Sequence, residues 1–388
     1  MTAAPLKSLC QIRHGGTPSK ANPAFWDGDV PWVSPKDMKS TLLDGASDHI
    51  TIEAVENSAT SLVPEKSILV VVRSGILAHS LPVAQATRPL TFNQDIKALM
   101  PDADQVDPDY LFWFVRSQEP RVLAQGVKKG ATVHSVQSGF IENLQVPLPK
   151  RAEQRRIVDL LSRAEGIVRL RREAEKKAAE LIPALFLDMF GDPATNPKGW
   201  EVEEFGSVIT YSRYGPRFPN RDYAESGAHI LRTTDMSDDG VLRWWESPIM
   251  SLTPAEVSKY QLSPKTLLIT RTGTIGRVAM FSGASEPCIA GAYLLEFGLK
   301  ELISPDYALA FFLSAYGQQH LLQGSRSVAQ PNINAPTVMA IKMPIPPMGR
   351  QAEFSKAVEG VRAIQSQQSD AIAKAQATFD ALLAQAFS

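Results

Sequence analysis

The sequence holds little that would support covalent or metal chemistry. It has two cysteines, Cys10 and Cys288, one in each half of a 388-residue chain. That excludes a disulfide framework and any cysteine-only metal site, and it fits a reducing compartment. The six histidines (His14, His49, His79, His134, His229, His320) show no ligand spacing, and neither HExxH nor CxxC occurs. A GxxxxGK(S/T) phosphate loop, a GxSxG elbow and an Asn-Pro-Pro-aromatic motif are all missing. Jointly these absences point to a non-enzyme with no catalytic residue, no metal site and no directly bound cofactor. No stretch approaches the roughly 20 apolar residues of a membrane span, so no membrane association is expected. Met1–Lys7 lacks the charged-then-apolar order of a signal peptide, so a cytoplasmic location is expected. A net charge of −1 supplies no global field for nucleic acid.

What is present is a unit of about 197 residues written twice. Gln154 and Gln351 each follow a proline-bracketed apolar stop, Val146-Pro-Leu-Pro149 and Met343-Pro-Ile-Pro346. The same interval, or one residue more, relates Arg73-Ser-Gly75 to Arg271-Thr-Gly273, Asp37-Met38 to Asp235-Met236, and Pro108-Asp-Tyr110 to Pro305-Asp-Tyr307. Solenoid units run roughly 20 to 50 residues, so this period describes a duplicated globule-plus-helix module. Such a chain behaves as a pseudo-symmetric dimer.

Each globule reads as mixed α/β. Leu62-Val63, Ile68–Val72 and Thr266–Thr270 are short β-rich runs, and Tyr110–Val115 and Tyr307–Leu313 follow Pro-Asp helix starts. The long segments that follow are helical. Ile157, Leu161, Ala164, Val168, Ile182 and Leu185 form an apolar seam, as do Val358, Val361, Ile372, Phe379 and Leu382. Steps of three and four residues are those of an antiparallel or parallel coiled coil. Gln365 and Gln368 fall on the second seam, and Pro183 should interrupt the first. A helix of roughly 35 residues spans about 50 Å, and the two seams are expected to bury each other.

Charge is unevenly spread. From Arg116 to Lys177 there are fourteen basic residues against seven acidic ones. That excess can attract phosphate, or it can be a solvated helix face with pairs such as Arg169–Glu173 and Glu173–Lys177. Matched polar loops carry the candidate contacts. They are Gly15-Gly-Thr-Pro-Ser-Lys20 and Tyr214-Gly-Pro-Arg217; Arg73 and Arg271 at strand ends; and Lys128–Ser135 against Ser325–Asn332. Arginine forks, lysines, hydroxyls and amides grip phosphates and base edges. Arg73 and Arg271 are the first candidates for such a grip, followed by Lys128, Lys129, Ser135, Arg326, Ser327 and Asn332. The alternative is ordinary turns with structural ion pairs.

Gly15-Gly-Thr-Pro-Ser19 with Phe25-Trp-Asp-Gly28 and Val30-Pro-Trp-Val33 resembles the opening of a recognition domain in the specificity (S) subunits of type I restriction–modification systems. Glu153-Gln-Arg-Arg-Ile157 through Leu185–Phe190 resembles their central spacer helix, and Met343 through Phe387 the C-terminal one. The second half departs from the pattern, with Tyr214-Gly-Pro-Arg217 for Gly-Gly-Thr-Pro and Ile230 where Trp32 would recur. The resemblance implies an α+β fold with target-recognition domains at 1–149 and 193–346. Helices at 150–192 and 347–388 would form an antiparallel coiled coil. It further implies a non-catalytic prokaryotic subunit that reads a bipartite asymmetric site on double-stranded DNA. The expected partners are two methyltransferase subunits carrying S-adenosylmethionine, and restriction subunits using ATP. A coiled-coil interaction scaffold and a stand-alone DNA-binding regulator are the competing readings.

Overall fold

A computed structural model describes residues 2–130, 132–219, 221–323 and 332–387. The chain divides into two compact units, residues 1–171 with 371–388, and residues 172–370. The division falls inside both long helices. No described helix is long and apolar enough to cross a membrane.

Unit 1 is built on a five-stranded sheet ordered Cys10–His14, Ile96–Pro101, Ile68–Val71, Val83–Ala86, Leu42–Leu43. Alternation sends its side chains to two faces. Ile68 and Val70 enter a core with Tyr110, Phe114, Ile157, Leu161, Val168 and Phe379, whereas Leu69 and Val71 meet Val33, Leu43, Phe92 and Ala98. The helix Pro108–Ser117 is capped by Asp107 and buries Tyr110 through Val115. The expected strand at Leu62-Val63 is not formed. Leu62 is exposed and Val63 makes only an isolated bridge to Leu90, with no ladder extending on either side.

Unit 2 repeats the plan with a four-stranded antiparallel sheet, Ile209–Tyr214, Leu294–Leu299, Thr266–Thr270, Val278–Phe281. The helix Pro305–Leu313 covers one face, where Tyr307, Phe311, Leu267, Ile269, Phe186, Phe190 and Phe354 share a core.

The repeated glutamines now have a physical role. Gln154 is buried; its Oε1 accepts from the Asp107 N–H at 2.9 Å and its Nε2 donates to Pro149 O at 2.9 Å. Gln351 is fully buried and does the same with Ser304 N–H (2.7 Å) and Pro346 O (2.7 Å), adding Leu302 O at 3.3 Å. Tyr110 and Tyr307 donate to Pro147 O at 2.9 Å and Pro344 O at 2.5 Å. In each unit, then, one amide joins the start of a long helix to the N-cap of the core helix. Both orphaned backbone groups are satisfied at once.

The first long helix runs Arg151–Ala179 and resumes as Leu181–Phe190 after a turn at Glu180. Pro183 explains the break. Its ring would clash with the carbonyl four residues back, at Ala179, while in the first turn of a new helix its missing N–H costs nothing. The second long helix is continuous over Met348–Ala386. Within unit 2, Gln365 Nε2 donates to Ala178 O at 2.9 Å, and Phe186 and Phe190 meet Phe354 with ring centroids 6.1 and 5.2 Å apart. Partner numbers fall as residue numbers rise. Ile157, Leu161, Val168, Val358 and Phe379 are buried, and Ala164, Ile182, Leu185 and Leu382 pack partly buried against the same cores. Val361 and Ile372 are half-buried. The pairs Arg169–Glu173 and Glu173–Lys177 are not formed. The first long helix instead pairs Arg156 with Glu153 and Arg163 with Asp159, and its Glu165 meets Arg116 at 2.5 Å.

Candidate nucleic-acid interface

In unit 1 a small antiparallel sheet gathers residues that lie far apart in sequence. Strand Val127–Lys128 pairs with His134–Val136, which pairs with Arg73–Ser74. The register sets Lys128 opposite Ser135, and Ser135 opposite Arg73. Directly opposed residues share a face of a pleated sheet, so a lysine, a hydroxyl and an arginine form one polar row. Lys129 is exposed just beyond it.

Arg73 is the fixed end of this row. Its Nε donates to Asp95 Oδ1 at 2.8 Å, its backbone N–H donates to Asp95 O at 3.2 Å, and its side chain stays 58% exposed. Asp95 is held by Asn93, whose Nδ2 donates to Oδ2 at 3.1 Å and whose Oδ1 accepts from the Asp95 N–H. The loop Asn93–Asp95 is in turn backed by Gly15 and Gly16. A Cβ on Gly15 would strike Asn93 O, and Gly16 N–H donates to Phe92 O at 3.0 Å. Thr17 Oγ1 completes the contact by donating to Gln94 Oε1 at 2.5 Å. Trp32 Nε1 donates to Gly16 O at 2.9 Å, which ties the tryptophan to the glycine pair.

Unit 2 uses the same frame with other groups. A Cβ on Gly215 would strike Gly291 O, which makes Gly215 the counterpart of Gly15 and Gly291 of Asn93. Arg271 N–H donates to Tyr293 O at 3.0 Å, so Tyr293 stands where unit 1 has Asp95. The Arg271 guanidinium lies 4.7 Å over the Tyr214 ring and its Nε donates to Asn332 Oδ1 at 3.2 Å. Tyr214 OH accepts from Ala335 N–H at 3.2 Å. The arginine is thus oriented by a ring face and an amide, and among the described residues it has no carboxylate partner. Arg326 and Ser327 lie outside the described residues, as does most of Ser325–Asn332.

In its four-stranded sheet unit 2 carries a buried carboxyl where unit 1 has Ala98. The cross-strand order Arg213, Glu296, Leu268, Ala279 matches Arg13, Ala98, Leu69, Ala84. Arg213 Nε meets Glu296 Oε2 at 2.5 Å, and its Nη atoms donate to the carbonyls of Lys259, Tyr260 and Gln261. Glu296 is fully buried, and its Oε1 has no hydrogen-bond partner among the described residues. Burial pushes its carboxyl up to about 7, an effect that Arg213 opposes and does not cancel.

Sequence reading identified Arg73, Ser135 and Lys128 separately, and strand pairing brings them together. It joined Arg271 to Asn332 only as members of matched loops. It missed Asp95 and Tyr293, for which the only sequence signal is a polar or aromatic residue two past a Gly-backed loop. Among the described residues no cluster of His, Cys, Asp or Glu could hold a metal.

A family model described as the type I restriction modification DNA specificity domain matches residues 2–180 and again 197–374. The specificity subunit of the type I restriction enzyme EcoR124I/EcoR124II from Escherichia coli is 40% identical over 168 residues, 43% of this chain and 41% of that protein. The MjaIX specificity subunit from Methanocaldococcus jannaschii is 26% identical over 245 residues, 58% of this chain and 55% of that one. These matches therefore span about half the length of the relatives. Two solved structures share the fold. A chain from a study of complex assembly and conformational transition of the type I R-M system is 17% identical with a TM-score of 0.63, covering 100% of this chain and 97% of that one. The S subunit from M. genitalium is 15% identical with a TM-score of 0.52, covering 100% and 96%.

Proposed function

We propose a function from one premise: the chain belongs to the type I restriction modification DNA specificity family. It is a non-catalytic subunit that reads a bipartite, asymmetric site on double-stranded DNA, one half-site per unit. The observation that carries this reading is the repeated arginine at one position of each unit, surrounded by different polar partners. Matched frames with unmatched contact groups are what two different half-sites require. Arginine forks supply bidentate contacts to guanine edges or phosphates, and Lys128, Lys129 and Ser135 add backbone grip.

The two long helices form an antiparallel coiled coil that sets the gap between half-sites. The Gln365 to Ala178 bond and the Phe186–Phe354 contact support antiparallel packing, and the polar seam residue helps fix register. Two methyltransferase subunits, bringing S-adenosylmethionine, dock on the helices and adjoining surfaces. Restriction subunits add ATP-driven steps, and the complex works in the prokaryotic cytoplasm.

The test is binding of the chain with its methyltransferase partner to duplexes carrying the methylated site. Changing the gap by one base pair should abolish specific binding. Removing seven residues from both helices shortens them by about 10 Å, and should move the preferred gap by roughly 3 base pairs at about 3.4 Å each, with both half-sites unchanged. An unchanged gap preference would contradict the ruler.

A further inference from the structure

The loop Tyr214-Gly-Pro-Arg217 leads to a feature that the arginine row does not use. Beyond Gly215 the chain forms one wall of an open cavity of about 390 Å³, whose other wall is the helix Pro254–Tyr260. Its lining includes Arg217, Phe218, Arg221, Glu256, Lys259 and Tyr260.

The charges here are arranged, not merely numerous. Arg221 grips Glu256 with two bonds, 2.7 and 3.1 Å, while Glu256 also accepts from the Thr253 N–H and hydroxyl at 2.9 Å. The lone carboxylate is therefore fully engaged. Among the described residues neither Arg217 nor Lys259 has a carboxylate partner. Lys259 Nζ sits 5.0 Å from the centre of the Tyr260 ring, Arg221 lies 5.5 Å from that of Phe218, and the Phe218 and Tyr260 rings meet edge to face at 6.1 Å. The result is a pocket with two uncompensated cations and an aromatic floor.

It also lies close in sequence and contact to the candidate reader. Arg213 donates to the carbonyls of Lys259, Tyr260 and Gln261, fixing the end of the pocket helix, and the next residue, Tyr214, stacks under Arg271. Adjacent residues at one strand end therefore touch the two sites. A cavity in unit 1, about 300 Å³, is lined instead by Asp27 and Asp48 with Trp26 and His49, a set that repels phosphate.

We propose that the unit 2 pocket is a backbone-phosphate clamp for the DNA whose bases Arg271 reads, with Arg217 and Lys259 holding the phosphate. This rests on the DNA-binding function proposed above. The clamp positions and does not specify, since phosphate contacts carry no base information.

The experiment uses the full chain in complex with its methyltransferase and the duplex identified from methylated genomic sites. Arg217→Ala/Lys259→Ala is compared with wild type across a salt series. We expect roughly tenfold weaker binding, a salt slope smaller by about one, and the same base preference at every position. Identical affinity and slope in the double variant would overturn the clamp while leaving the DNA reading intact. A changed base preference would also overturn it, by making these residues readers. If the wild-type complex bound no specific duplex, both proposals would fall together. Both side chains are on the surface, so an unchanged melting temperature should accompany the binding loss; Lys259→Glu, which reverses the charge, should weaken binding further.

Discussion

Arg73 and Arg271 occupy one position in two related units, yet one leans on a carboxylate and the other on a ring. Asp95 cancels part of the charge of Arg73 and competes with any DNA phosphate for it. Arg271, with Tyr293 in place of Asp95 and the Tyr214 ring beneath it, keeps its charge and has an edge to offer. The difference teaches that the duplicated frame fixes where an arginine points, while the residues around it set how strongly it can bind an anion. In the main sheets the contrast continues, Glu296 being buried where unit 1 has Ala98.

The largest expected effect concerns what the units share. Gln351→Ala strands the Ser304 N–H and two carbonyls in a fully buried site, and should destabilise unit 2 by about 1–3 kcal/mol. Gln154→Ala removes two bonds, and should cost unit 1 less, roughly 1 kcal/mol. Hydrogen exchange resolved by unit reads both losses. Equal protection in the two variants would mean the lock is not what joins helix to core.

Exchanging the arginine's neighbours should follow. Tyr293→Asp gives unit 2 the arrangement of unit 1, and Asp95→Asn relieves unit 1 of its acid. The first should weaken binding of the methylated duplex by about tenfold, and the second should strengthen it several-fold, an effect on the order of 1 kcal/mol in each direction. Since Tyr293 is 57% exposed, its replacement leaves the core untouched. Shifts of the same sign in both variants would break the comparison.

The last effect is a pH dependence of unit 2 that follows from Glu296. The folded Glu296 carboxyl is raised to about 7 from 4.5, so the folded state holds the proton more tightly. Its stabilising contribution is complete below about pH 4.5, and is lost as pH rises through 7. Unit 2 should therefore lose protection between pH 5 and 8, and Glu296→Gln should flatten that slope. A wild-type unit 2 that grew more stable across this window would contradict the assignment.

Much of this was legible in the sequence. The period found Gln154 and Gln351 because the lock needs an amide at one spacing from Asp107 and Ser304, and no loop length varies between them. The strand partners were hidden for the opposite reason. Arg13 and Arg213 are 200 residues apart while Arg73 and Arg271 are 198 apart, since loops gain and lose residues without disturbing the sheet. That drift blurred the match of Gly15 to Gly215, whereas Asp95 and Tyr293 keep the 198-residue offset and were hidden because an acid and an aromatic share no side-chain likeness. The Lys128, Ser135 and Arg73 row could not be assembled either, because register is set by hydrogen bonds across 62 residues of chain. The Leu62-Val63 reading failed because the pairing stops at one bridge, Val63 to Leu90, and Leu62 faces solvent.

Sequencing of methylated sites in cells carrying the chain and its methyltransferase tests the central claim most directly, with wild type set beside Arg73→Ala and Arg271→Ala. One unit for one half-site predicts that each variant loosens the sequence of a single half, a different half in each case, with the gap unchanged. Degeneracy spread over both halves in either variant, or intact sites in both, would contradict it.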